Sequence, residues 1–147
     1  RLAFLLVGDA NAAQDIAQEA FVRVGTRLRR LRDPEKARFY LRTTVINLCR
    51  AHWRRRDRER PQADMGSWNP IQEDHGSWVD QRDEMLIALQ KLPARQRAAV
   101  VLRFYEDLSE HQTADLLGCP VGTVKSSVAR ALQTLRGELG RKHDGRA

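Results

Sequence analysis

Residues 109–136, SEHQTADLLGCPVGTVKSSVARALQTLR, decide the fold. Ser109 with Gln112 three residues on is a capping pair: the hydroxyl accepts from an early backbone N–H while the amide reaches back to the cap. A helix therefore starts there. Ala114, Leu116 and Leu117 give it an apolar side, Gly118 suits the left-handed conformation that ends a helix, and Pro120 bars its continuation. A second helix begins near Gly122 or Thr123. Along it Val124, Val128, Ala131, Leu135 and Leu139 recur at steps of three and four and form one buried stripe. The opposite face collects Lys125, Ser126, Ala129, Arg130 and Gln133, with no acidic residue among them. Lysine and arginine can meet phosphates or guanine edges, glutamine can pair with adenine, and small Ser126 and Ala129 allow close approach. The pattern is that of a DNA-reading helix-turn-helix. An ordinary helical hairpin with a solvated basic face competes with it; turn spacing, glycine placement and the lack of acid on the second helix weigh the other way.

The rest of the 147 residues is long enough for one core or for two small domains joined by a linker. Charge distribution favours two. The chain carries a net charge of +7, and 22 of its 26 basic side chains are arginine, the group best suited to phosphate forks and stacking. Residues 1–60 hold 15 basic and 7 acidic side chains, residues 61–83 hold 1 and 5, and residues 84–147 hold 10 and 7. Two basic blocks thus flank an acidic link, and a polyanionic partner is expected. With only Cys49 and Cys119, no disulfide framework is needed. No apolar run approaches a membrane span and no leader is visible, so a soluble cytoplasmic protein is expected. The chain opens on Arg1, and Leu2–Val7 reads as the end of a buried helix, which suggests that native residues are missing upstream.

Asn11 followed by Gln14 repeats the capping logic, and Ile16, Ala17, Ala20, Phe21, Val24, Leu28 and Leu31 form an apolar stripe over about five turns. On the other face Asp15, Gln18 and Glu19 cluster, with Arg23 four residues after Glu19. A plain stabilising pair and a docking face are equally compatible with that spacing. Asp33 and Pro34 start a further helix running to about Arg58, with Ala37, Leu41, Thr44, Val45 and Leu48 inward. Its outer side carries Arg38, Arg42, Arg50, Arg54, Arg55 and Arg56 around Asn47 and the rings of Phe39, Tyr40 and Trp53. Arginines interleaved with rings and an amide suit single-stranded nucleic acid, since bases stack while cations track the backbone; a merely solvated arginine run is the alternative. Residues 61–79 break the periodicity with prolines and glycines and read as a flexible linker, in which Trp68 and Trp78 could anchor a partner. Beyond it Met85, Leu86, Leu89 and Leu92 mark a short helix. Pro93 opens another, with Ala98, Val101, Leu102 and Tyr105 inward. The expected fold is all-α: two small helical domains, 1–60 and 80–147, the second containing the helix-turn-helix.

With these pieces together the chain resembles the extracytoplasmic-function (ECF) sigma factors, small promoter-specificity subunits of bacterial RNA polymerase in the sigma-70 superfamily. The resemblance rests on GDANAAQDIAQEAFVRV at 8–24, RFYLRTTVINLCRAHWRRR at 38–56 and LPARQRAAVVLRFYEDLSEHQTADLLGCPVGTVKSSVARAL at 92–132. It implies that Asp15, Gln18 and Glu19 face core polymerase, that Asn47, Arg50, Arg54 and Arg55 hold the minus-ten strand, and that Thr123, Lys125, Ser126, Ala129, Arg130 and Gln133 read the minus-thirty-five duplex. It also implies control by an anti-sigma factor, and a region 2-like first domain that lacks its N-terminal part. The chain departs from the family pattern where Ser127 replaces a frequent arginine, Ala51 a frequent acid and Tyr40 the usual tryptophan.

Two other classes compete. A stand-alone helix-turn-helix regulator accounts for residues 109–136 but leaves the first domain idle. A nuclease using Asp9, Asp15 and Glu19 as metal ligands lacks any histidine or lysine that converges on them in sequence. His75 has no cysteine or histidine at ligand spacing. No catalytic group, metal or cofactor is therefore expected.

Overall fold

The computed structural model describes residues 1–59 and 84–144. Among them every regular element is helical, and they fall into two compact units, one holding the first three helices and the other the remaining four. The expected linker at 61–79, with Trp68, His75 and Trp78, lies outside the described residues.

In the first unit, α1 (Leu2–Val7) ends at Gly8, whose φ of 74° is the left-handed turn that glycine adopts without strain. That turn leaves Asp9 extended as the N-cap of α2 (Ala10–Leu28), its carboxylate accepting from the Ala12 N–H at 3.0 Å. The expected cap at Asn11 is therefore two residues late, because the preceding glycine sets where the chain can turn. Ile16, Ala20 and Val24, at steps of four, form the buried seam of α2, whereas Phe21 is 59% exposed. It lies one residue, and so about 100° of helix, beyond Ala20, off the seam that meets α1 and α3. Leu28 is likewise at the surface, and Leu31 follows the helix end. Asp33 accepts from the Glu35 N–H and starts α3 (Pro34–Glu59) where expected. The inward side of α3 centres on Val45, Ile46 and Cys49, with Ala37, Leu41, Thr44 and Leu48 half-buried around them. Each of the three helices packs against the other two.

In the second unit, α7 (Val121–Asp144) packs against α4 (Glu84–Gln90), α5 (Ala94–Val100) and α6 (Glu110–Leu117). Fully buried Leu92, Leu102 and Val124 anchor this core, each contributing roughly 1.5–3 kcal/mol. The short helix marked by Met85, Leu86 and Leu89 is α4, with Leu89 buried and Met85 exposed on its first turn. Arg97, 1% exposed, donates to the carbonyls of Leu89, Gln90 and Leu92. Leu89 and Gln90 lie in the last turn of α4 and Leu92 just beyond it, and the Leu89 carbonyl also accepts from the Leu92 N–H at 3.1 Å. A buried cation at that negative end is favourable, and it ties α4 to α5.

Between α5 and α6 the chain forms a π turn, Val101–Tyr105, closed by the Glu106 N–H donating to the Val101 carbonyl at 3.1 Å. The expectation of an inward Tyr105 fails here. Ala98, Val101 and Leu102 are buried as an α-helical phase requires, but the wider turn absorbs one surplus residue and leaves Tyr105 50% exposed.

Candidate nucleic-acid interface

The helix-turn-helix has the local geometry that its residues dictate. The Ser109 Oγ accepts from the Gln112 N–H at 3.1 Å, and the Gln112 side chain accepts from the Ser109 N–H at 2.9 Å. Gly118 has φ 62°, the left-handed stop after α6. The second helix starts at Val121, marginally earlier than expected, with the Thr123 N–H donating to the Pro120 carbonyl. Val124, Ala131 and Leu135 are buried, and Val128 and Leu139 half-buried, along the inner stripe of α7.

That packing turns the other side of α7 outward. Lys125, Ser126, Ala129, Arg130 and Gln133 are all exposed, while Thr123 is half-buried at the start of the row. The Ser126 hydroxyl donates to the Thr123 carbonyl at 3.1 Å. Its proton is thus engaged locally, and the exposed oxygen keeps its capacity to accept a hydrogen bond. Ser127 is buried, 7% exposed, so the serine that stands there does not belong to the outward face. One contact escaped the sequence. Glu110, the first residue of α6, places its carboxylate 3.7 Å from the Lys125 ammonium. No periodicity links two residues on different helices; only the capping box and the tight turn bring them together.

On α3, Tyr40, Thr43, Asn47, Arg50 and Arg54 recur at three and four residues and so share one side of the helix. Asn47, Arg54 and Arg55 are exposed and Arg50 is half-buried. Of the three rings, Trp53 is half-buried while Phe39 and Tyr40 lie at the surface. Tyr40 is held in place: the Arg27 guanidinium lies over its ring, 5.3 Å from the centroid, and donates to its hydroxyl.

On α2, Asp15, Gln18 and Glu19 are exposed together, one turn from Val22, which is 72% exposed. Arg23 reaches back to the Glu19 carboxylate at 2.6 Å, so the stabilising pair does form. It occupies one carboxylate and leaves Asp15 and Gln18 on the same open face. Asp9 is engaged as the α2 cap.

Residues 1–59 match the family model for Sigma-70 region 2, and residues 82–135 that for Sigma-70, region 4. These two matches, one on each helical unit, define the class: a sigma factor of the sigma-70 family. Within it the chain belongs to the ECF sigma factors. It is 38% identical over 148 residues to the RNA polymerase sigma-E factor of Streptomyces coelicolor, across 100% of this chain and 83% of that protein. It is 33% identical over 134 residues to the ECF RNA polymerase sigma factor EcfG of Rhodopseudomonas palustris, across 90% of this chain and 74% of that one. Among solved structures it is similar to the sigma factor RpoE of Bartonella quintana in complex with the anti-sigma factor NepR. That match has a TM-score of 0.70 and 26% identity, over 95% of this chain and 88% of the other.

Proposed function

We propose that this chain is the specificity subunit of a cytoplasmic RNA polymerase, with no catalytic site of its own, and that its residues divide the work as follows. Asp15, Gln18 and Glu19 dock core polymerase. Asn47, Arg50, Arg54 and Arg55 hold the unpaired minus-ten strand. Thr123, Lys125, Ser126, Ala129, Arg130 and Gln133 read the minus-thirty-five duplex from the major groove. The observation that carries this reading is the outward face of α7, where cations, an amide and small side chains stand together on the second helix of a capped helix-turn-helix. Support for two separate promoter contacts comes from the matched spans, region 2 at 1–59 and region 4 at 82–135.

Regulation by an anti-sigma factor belongs to the same proposal. The similar sigma factor of Bartonella quintana was solved with one bound, and a protein that covers the α2 or α7 face would block docking or reading by simple occupancy. Run-off transcription tests the whole. Core polymerase supplemented with this chain should start discrete transcripts from a genomic promoter library, and core polymerase alone should not. Absence of transcripts, with no co-migration of the chain and core polymerase, would return the protein to the stand-alone regulators.

A further inference from the structure

We infer that Glu110 is a specificity-determining residue, which makes Lys125 a reader of bases rather than of phosphates; the inference rests on the assignment of the α7 face to duplex DNA. The geometry is that of the 3.7 Å ion pair between the Glu110 carboxylate and the Lys125 ammonium, whose side chains are 38% and 63% exposed. That separation is close enough for the carboxylate to act on the cation and too long to use up a hydrogen bond. All three ammonium N–H donors remain available.

What they can meet is then decided by charge. The N7 and O6 of a guanine edge are neutral acceptors and tolerate a carboxylate nearby, whereas a phosphate oxygen approaching the same ammonium is repelled by it. The backbone that carries the carboxylate is fixed locally. Glu110 is the first residue of α6, whose start is fixed by the reciprocal Ser109–Gln112 capping box, and the left-handed Gly118 sets the turn that leads into α7. Such restraint has a purpose in a chain of net charge +7, which is drawn to any duplex. Binding without sequence preference consists of phosphate contacts alone, so a device that penalises phosphates and spares base edges widens the gap between promoter and bulk DNA.

The test uses the full chain with Glu110→Gln, Lys125→Ala and the double variant. Affinity for a duplex of random sequence is followed by fluorescence anisotropy across a salt series. Affinity for a promoter duplex that supports run-off transcription is measured with the chain assembled on core polymerase. Glu110→Gln frees one phosphate contact. Random-duplex affinity should rise about fivefold near 0.15 M salt, and the slope of log affinity against log salt should steepen by about 0.9. Promoter affinity should stay within about twofold, and with Lys125→Ala in the same chain the Glu110→Gln effect should vanish. An equal rise on both duplexes, an unchanged salt slope, or an effect that persists without Lys125 overturns the role of Glu110. The underlying assignment fails separately: Lys125→Ala that leaves promoter affinity unchanged removes Lys125 from the reading face, and the inference with it.

Discussion

Arg130 and Asn47 carry the sharpest expectations at the scale of single residues. A base-edge contact is worth about 1–3 kcal/mol, so Arg130→Ala should weaken promoter binding by the assembled polymerase roughly ten- to a hundredfold and leave core binding intact. Filter binding and co-migration measure the two separately. Asn47 offers both a donor and an acceptor to a base edge, and flipping a base out of the stack costs a few kcal/mol. Asn47→Ala should therefore cut transcription from duplex promoters and be partly rescued on a template with a pre-melted bubble; equal loss on both would point to base recognition or folding instead. His52 gives a pH signature. Burial first, then the charge of Arg56, holds its imidazole below the ordinary 6.5, while Asp9 pulls the other way. The unfolded chain thus takes up the proton first as the pH drops. The stability that neutral His52 contributes is full above 6.5 and is lost as the pH falls through the depressed folded value. The thermal midpoint of the first unit should fall between pH 7.5 and 5.5, and His52→Gln should flatten that part of the profile. The outward residues of α7 were legible from spacing alone. Glu110 was not, because its partner lies on another helix and only the folded turn makes them neighbours.

The helices divide into those whose ends are written locally and those set by tertiary contacts. Ser109, Gln112, Gly118 and Asp33 act within one turn of themselves, and the boundaries of α6 and the start of α3 follow the sequence. The start of α2 does not, since Asn11 is as good a cap in isolation as Asp9 and only Gly8 decides between them. Arg97 is the strongest case of a tertiary decision. An arginine in a helix is ordinarily taken as solvated, yet this one is buried and closes the carbonyl end of α4. Each hydrogen bond to a charged group contributes about 1.5–3 kcal/mol, so Arg97→Ala should destabilise the second unit by about 3 kcal/mol or more in urea denaturation. Arg97→Lys should recover only part, because one ammonium cannot reproduce the planar fork that reaches several carbonyls. A full recovery would show that the charge matters and the geometry does not.

For the whole molecule, folding and docking are expected to separate. Asp15 and Glu19 are exposed, and the Glu19–Arg23 pair is a surface pair worth about 0–1 kcal/mol. The double change Asp15→Ala with Glu19→Ala should lower affinity for core polymerase while the thermal midpoint of the free chain barely moves; a collapsed midpoint would make the acids structural. The division into two helical units was legible from the acidic break between two basic blocks, and all-α architecture from periodicity. The phase of Tyr105 was not, because periodicity assumes an unbroken α-helix and the π turn at Val101–Tyr105 is not one. The π turn carries one more residue per closure than an α-helical turn, so a residue removed at Val101–Tyr105 is expected to leave the buried face of α5 and the start of α6 in place. The same edit within α7 is expected to rotate its outward row by about 100° relative to the buried stripe of Val124, Ala131 and Leu135.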